Sequence, residues 1–528
     1  MIYFIPSWYL KNEWKEDEQF WHSRRMSSET DDTVKQIQLF QRNDISDYRI
    51  MLLSYAPNFR HFLHRQSIYR APYWSVFDSI QEVTRKRASL FSFHNVKWPK
   101  NIEFVHTPFA LIAMLNGEKY AQVEFGEYGN TIQINVYKDG QLNGVNVYDD
   151  RGFASCTTVY GDGKKLYDQY LNENGEWKMC HFADGRVAIN PSNNHYLIET
   201  ENENILKAFN KLEYGSINEV IEEVLTSYLS TVDDNSIFCA ALHNVHLDTL
   251  KKVLGNRQTI YSIFNDRISL SNDVLNKIAY ANKIIVDDES NYDAIKNKNI
   301  IDNSKMIIIN PYDTRSDYGI SQKLHVQKIL VAIDDINDDL FESIIVNLCR
   351  YLLTNKDARV HLFTRNAEYG VDTVILEKVK NILKNNDFPE QWARKEKEKK
   401  FEMVPDEEKI PILFYVEQCI NELSVSKCVR EQRVMIDLSN KADLFLQISC
   451  VSFGVPQILK NENHYMRVNK NGLINKDIDE LPNDLKYYLE SLNNWNNAMI
   501  NSYKLSKENT TDYLVEQWKE VISSFERD

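Results

Sequence analysis

The 528-residue sequence predicts an α/β protein of two Rossmann-like domains, with an antiparallel β-meander inserted in the first. Two patterns carry this prediction. On either side of residues 105–192, short apolar strands alternate with helical stretches, which implies parallel sheets covered on both faces. Inside that interval glycine is concentrated: the chain has 16 glycines, and ten of them lie between Gly117 and Gly185.

The elements follow in order. Strands are expected at Tyr3 to Ile5 and Met51 to Ser54. The meander comes next, its turns written as YKDG, YDDRG, YGDG, YLNENG and FADG, with Gly140, Gly152, Gly163, Gly175 and Gly185 recurring every 10 to 12 residues. Asp-Gly and Asn-Gly supply the positive φ angles of tight hairpins, and the intervening residues alternate, as in Thr131, Ile132, Gln133, Ile134. A helix follows, with a capping box at Ser216 and Glu219 and an apolar stripe of Ile217, Val220, Ile221, Val224 and Leu225. Further strands are expected at Ser236 to Ala240, Thr259 to Ile263, Lys283 to Val286 and Met306 to Ile309. After a polar linker at 310–326, a second series runs Ile329 to Ile333, Val360 to Phe363, Ile412 to Val416, Val434 to Asp437 and Leu444 to Ile448. The charged run Arg394 to Lys400 is expected as an exposed loop or helix end. A last helix places Leu514, Trp518, Val521, Ile522 and Phe525 on one face. The expected domains are 1–104 with 193–315, the meander at 105–192, the second Rossmann-like domain at 316–505 and the terminal helix at 506–528.

Composition narrows the function classes. A formal net charge of -14 disfavours unspecific nucleic-acid binding, which needs a large basic surface. The seven cysteines, at 156, 180, 239, 349, 419, 428 and 450, form no Cys-x-x-Cys pair, which argues against a zinc site and a disulfide framework. No apolar run approaches the roughly 20 residues needed to span a bilayer, and Met1 opens no signal peptide, so a cytosolic protein is expected. Charge is uneven, though. From Phe59 to Lys100, eight Lys or Arg, including Arg85, Lys86 and Arg87, face only Asp78 and Glu82 and are interleaved with aromatics. That mixture suits peripheral contact with an anionic membrane or an acidic partner.

Candidate chemical residues are few. His243 and His246 with Asp248 could form a base and its orienter, or metal ligands, but no third ligand stands at a recognisable spacing. The first strand runs into Pro6, Ser7, Trp8 and Tyr9, with no glycine to let backbone N–H groups cradle a phosphate. The second domain opens with Asp334, Asp335, Asp338 and Asp339, which would repel a diphosphate and read best as caps of a helix N-terminus. The segment from Leu444 to Leu459, LFLQISCVSFGVPQIL, has the outline of a sugar-nucleotide site. In retaining glycosyltransferases of the paired-Rossmann (GT-B) kind, a strand enters a Glu, a Gly-Phe-Gly-like turn and a helix with a second Glu eight positions on. Here Val451 and Leu459 hold those places, and Ser452, Phe453 and Gly454 form the turn. No catalytic residue, cofactor or metal is therefore expected.

The opening MIYFIPSWY, the YDDRG and YLNENGEW turns, the linker INPYDTRSDYGISQ and the degenerate QISCVSFGVPQIL together resemble the accessory secretory (Asp) proteins of the bacterial accessory Sec system, their first member above all. The resemblance implies a GT-B-like protein without catalytic carboxylates. It would act with two other accessory secretory proteins, a SecA-like motor and a SecY-like channel in exporting a glycosylated serine-rich repeat adhesin. The tail helix would then return to the first domain. The alternative from another class is an active, sugar-nucleotide-dependent retaining glycosyltransferase.

Overall fold

The computed structural model describes residues 1–10, 12–16, 31–89, 91–126, 128–200, 203–314, 317–395, 410–440 and 442–525. They fall into two compact units, the first from the described residues of 1–24, 31–287 and 291–307, the second from those of 288–290 and 308–528.

The first unit is built on a seven-stranded sheet in the order Met306–Ile308, Lys283–Val286, Thr259–Ile263, Ile237–Ala241, Ile2–Ile5, Tyr48–Leu52, Tyr73–Ser75. Pairing is parallel from Lys283–Val286 through to Tyr73–Ser75. Ile2–Ile5 and Ile237–Ala241 are buried along their whole length, as strands covered on both faces must be. Helix Ile217–Leu229 buries the predicted stripe of Ile217, Val220, Ile221, Val224 and Leu225, but the Ser216 hydroxyl makes no capping bond, so the capping box does not form.

The insertion is a ten-stranded antiparallel sheet, consecutive from Ile102–His106 to Val187–Ile189 and closed by Glu213–Tyr214. Its turns obey their sequence. Asp139 and Gly140 both have positive φ (50° and 74°), as do Asp162 and Gly163 (49° and 72°), the pair of angles that lets a two-residue turn follow the strands' twist. The side chains of Phe91, Phe93, Val96 and Trp98 pack on a cluster of Leu111, Ala113, Ala121, Val123, Ile134 and Tyr148. Phe91 stacks on Tyr148 at 4.2 Å.

This packing bears on the expected anionic-surface contact, because it engages part of the segment's side chains. Most aromatics of Phe59 to Lys100 are spent inside the unit: Phe62, Trp74 and Phe77 are buried, and Phe91, Phe93 and Trp98 cover the meander, while Tyr69 is exposed. Three of the eight cations meet acids far along the chain. Arg60 pairs with Asp150 and lies 3.4 Å from Asp149. Arg85 pairs with Glu173 at 3.4 Å, and Lys86 pairs with Glu199. Arg87 is exposed and has no ion pair among the described residues.

The same ion pairs fasten the meander to the parallel sheet. Arg151, in the YDDRG turn, is 2% exposed and forks onto both Asp78 (2.7 and 2.8 Å) and Asp149 (2.7 and 2.8 Å). Burial alone would raise the Asp78 carboxyl, yet the adjacent guanidinium holds it below its usual value. Lys15 reaches Asp168 at 2.5 Å, and the fully buried Lys178 reaches Glu82 at 2.7 Å. Removing one partner from such a buried pair leaves an uncompensated charge, so the meander and the first parallel sheet depend on each other for folding.

The second unit carries a six-stranded sheet in the order Phe414–Gln418, Ala358–Thr364, Gln327–Ala332, Val434–Asp437, Gln457–Leu459, Gly472–Ile474, parallel throughout. The terminal helix Thr511–Ser524 buries Leu514, Val515, Trp518 and Val521 and groups with this unit. From residue 396 on, the charged run after Arg394 lies outside the described residues. No described helix is long and apolar enough to cross a membrane.

Candidate functional site: the crevices at the carboxyl ends of the parallel sheets

In an open parallel sheet, ligands dock outside the carboxyl ends of the strands, where the winding reverses direction. In the first unit the winding reverses between Ile2–Ile5 and Ile237–Ala241, which are adjacent and parallel. The segment leaving the first strand, Pro6 to Tyr9, does not form a phosphate loop. It sets Tyr9 against the two histidines. Tyr9 Oη lies 2.9 Å from His246 Nδ1, and the Tyr9 ring sits 5.0 Å from that of His243. His246 is fully buried, and its Nε2 lies 2.8 Å from the Ala241 carbonyl oxygen. A carbonyl only accepts, so Nε2 carries the proton and Nδ1 accepts from Tyr9. Burial, then the neighbouring His243, push His246 down to about 3; burial and Arg267 push His243 down to about 4. His243 caps helix Asn244–Leu254, its Nδ1 accepting from the Val245 N–H at 3.2 Å. Asp248 pairs instead with Lys277 at 3.0 Å. The histidines are thus brought together as neutral packing groups, without the orienting carboxylate a base would use. Arg267, the nearby cation, is held by Asp32 at 2.5 Å and Ser7 at 2.8 Å.

In the second unit the winding reverses between Gln327–Ala332 and Val434–Asp437. Asp334, just past the first of these strands, accepts from Thr364 Oγ1 at 2.7 Å and from the Arg365 N–H at 2.6 Å. Asn337 caps helix Asp338–Leu352, with Asp338 and Asp339 in its first turn, and Asp338 also meets Lys378 at 2.5 Å. The acidic group therefore serves the helix dipole and the neighbouring loop. Among the described residues no group of three or more His, Cys, Asp or Glu is placed to hold a metal ion.

The segment after Val434–Asp437 departs from the sequence reading. Leu444–Phe453 is a helix, and the strand is Gln457–Leu459 behind it, so the order strand, turn, helix is reversed. Asp443 caps the helix by accepting from the Leu446 N–H at 3.0 Å and holds Arg365 Nε at 2.7 Å. Gly454 closes it at φ 71°, where a Cβ would come within 2.7 Å of Met499 and 2.8 Å of Tyr318. Ser452 and Phe453 are its last residues. Val451 is 0% exposed in this helix, where a carboxylate would be buried, whereas Leu459, 1% exposed in the next strand, lies at the edge of the crevice. A ten-residue run buried on nearly every side has no amphipathic stripe, and periodicity alone does not separate it from a buried strand.

What the second crevice presents is a set of residues that the motif reading missed: Asp437, Ser439, Asn440 and Gln447. Asp437 is buried at the strand end and takes both the Ser439 N–H (3.1 Å) and hydroxyl (2.6 Å) on one oxygen. Burial pushes its carboxyl up to about 6. A nucleotide diphosphate entering here would meet the carboxyl groups of Asp288, Asp437 and Glu462 against the single cation Lys460 among the described lining residues. Like charges at short range in a partly desolvated crevice cost several kcal/mol.

Comparison with known proteins agrees with this architecture. The family model for the accessory Sec system's first Asp protein matches residues 1–524. The protein of that description from Streptococcus gordonii is 31% identical over 535 residues, covering 99% of both chains. Among solved structures, the crystal structure of accessory secretory proteins 1, 2 and 3 of Streptococcus pneumoniae contains a chain matching with a TM-score of 0.79 at 26% identity, covering 100% of each. The pneumococcal O-GlcNAc transferase GtfA, in complex with UDP and GlcNAc, matches with a TM-score of 0.68 at 11% identity over 100% of this chain and 99% of that one. At that identity the likeness concerns the fold alone, the α/β fold of paired Rossmann-like domains. A family match over nearly the whole sequence, on a glycosyltransferase-like fold, places this chain in the accessory Sec system protein family of the first Asp protein, accessory secretory protein 1.

Proposed function

We propose that the protein is a non-catalytic subunit of the accessory Sec export machinery. It joins two other accessory secretory proteins and, with a SecA-like motor, handles a glycosylated serine-rich repeat adhesin on the cytoplasmic side. The observation that carries this reading is the state of the two crevices: one is filled by Tyr9 and His246, 2.9 Å apart, and the other is lined by the carboxyl groups of Asp288, Asp437 and Glu462. Support for the partners comes from the complex of three accessory secretory proteins in which the pneumococcal relative was crystallised. Arg85 and Lys86 are engaged in ion pairs, so peripheral contact with anionic lipid would draw on Arg87 and on residues outside that triplet. Co-expression with the two other accessory secretory proteins, followed by size-exclusion chromatography, tests the reading. One co-eluting species of all three is expected; a chain that elutes alone at every concentration overturns it.

A further inference from the structure

Two thiols of the second unit face each other. Cys419 follows strand Phe414–Gln418, and its backbone N–H donates to the Thr364 carbonyl at 2.9 Å. Cys428 stands nine positions on, in the last turn of helix Glu422–Val429. Side chains on a helix lean back over the preceding turn, which directs the Cys428 thiol toward Ser424 and Val425. Cys419 meets it there, its Sγ donating to the Ser424 carbonyl at 3.6 Å. The two sulfurs share a hydrogen bond and belong to one buried cluster, Cys419 at 3% exposure and Cys428 at 9%. Gln432 backs the pair: its Nε2 donates to the Cys428 carbonyl at 3.1 Å and to the Cys428 Sγ at 3.7 Å.

This pair differs from the other cysteines in chemistry as well as in placement. Burial pushes the thiols of Cys156, Cys180, Cys239, Cys349 and Cys450 up, away from the thiolate that reacts. Cys419 alone is shifted down, first by the hydrogen bond it accepts from Cys428 and then, against burial, by the Arg365 guanidinium. The same bond, together with burial, pushes Cys428 up. One thiol ionises while its neighbour keeps a proton, the division between an attacking and a resolving cysteine. We infer that Cys419 and Cys428 form a redox modification site, which a peroxide closes to an intramolecular disulfide. The Cys419 thiolate attacks one peroxide oxygen and breaks the O–O bond, giving a sulfenic acid; the other oxygen takes up the proton that Cys419 released and leaves as water. The Cys428 sulfur then attacks the sulfenic sulfur, and its proton departs with the hydroxyl as a second water. Two thiols are oxidised and one peroxide is reduced by two electrons. The bridge ties the end of helix Glu422–Val429 to the loop beside Thr364. The inference goes beyond the export role and stands without it.

The test uses the full chain, reduced, desalted and treated with graded hydrogen peroxide, then quenched with catalase, alkylated in denaturant and digested with trypsin. Cleavage at Lys427 puts the two cysteines on separate peptides, 410–427 and 428–430. The first product expected in the mass spectrum is these two peptides joined, two hydrogens lighter than the separate pair and parted again by dithiothreitol. The other five cysteines should still be alkylated at that point. Cys428→Ser should stop the reaction at a sulfenic acid on Cys419, captured by dimedone, and Cys419→Ser should leave position 428 unmodified over the same time. The wild-type digest decides the matter even where a variant folds poorly. Three results would overturn the inference: all seven thiols intact at peroxide levels that oxidise the same chain in denaturant, another cysteine oxidised before this pair, or a first bridge that joins two chains.

Discussion

The two crevices stand at equivalent places in two parallel sheets and differ in what they would set against a phosphate. The first is filled from within: Pro6 to Tyr9 carries an aromatic ring onto His243 and His246, and both imidazoles are held neutral by burial. The second keeps a cavity but lines it with carboxylates and one unbonded amide. The difference teaches that the same place in a Rossmann-like scaffold can be occupied by packed side chains or left as a cavity whose charge is set by its lining.

The largest expected effect breaks the reading of the second crevice as a site missing two carboxylates at 451 and 459. Val451→Glu places a charge in a helix position with 0% exposure, and burying an unpaired carboxylate costs on the order of 4 kcal/mol. Chemical denaturation should show that loss, and titration with a sugar nucleotide should show no restored binding. A variant of unchanged stability that gains affinity would mean the helix assignment is wrong.

A second effect separates the crevices by pH. His246 is held at about 3, far below its ordinary value near 6.5. The unfolded chain therefore takes up a proton first as pH falls, and stability is lost from about pH 6.5 down towards 3, by up to about 1.4 kcal/mol per pH unit. Asp437, raised to about 6, behaves oppositely: the folded state keeps a proton that the unfolded state releases, so its contribution is full below the ordinary carboxylate value and is lost as pH rises through 6. Between pH 6 and 4 the first crevice should loosen while the second tightens. Hydrogen exchange resolved by peptide, corrected for intrinsic rates, should show protection falling over 241–254 relative to 434–453. Parallel changes in both would contradict these environments.

Much of the fold was legible in the sequence. Thr259–Ile263, Lys283–Val286 and Val434–Asp437 are read to the residue, because a buried parallel strand is a short apolar run and little else. The meander turns were equally clear, since Asp-Gly and Asn-Gly have few other uses at that spacing. What failed were the features that depend on distant partners. Helix Leu444–Phe453 is apolar all round, and the choice between helix and strand was made by packing on both sides. Part of the charge of Phe59 to Lys100 is balanced only far along the chain, by Glu173 opposite Arg85 and Glu199 opposite Lys86. The roles of Tyr9 and His246 are joined across 237 positions. The unbonded amide of Gln447 leaves no mark on a one-dimensional pattern, apart from being the one amide in an otherwise apolar and hydroxylic helix.

The smallest effect concerns the paired cations outside both crevices. Arg85 and Lys86 are about half exposed (46% and 59%), and ion pairs of that kind contribute at most about 1 kcal/mol. Replacing Arg85, Lys86 and Arg87 together by Glu should shift the melting temperature by only a few degrees. Flotation with anionic vesicles should change little, because two of the three charges are already matched. A steep, salt-sensitive loss of vesicle binding would restore the triplet as a lipid contact.

Titration of the full-length chain with UDP-N-acetylglucosamine, followed both calorimetrically and by release of free UDP, tests the central claim most directly. The packed first crevice and acidic second crevice predict no binding tighter than about millimolar, some -4 kcal/mol, and no release of UDP above the uncatalysed rate. A micromolar dissociation constant with turnover that is lost in Asp437→Asn would contradict the claim and return the protein to the active glycosyltransferases.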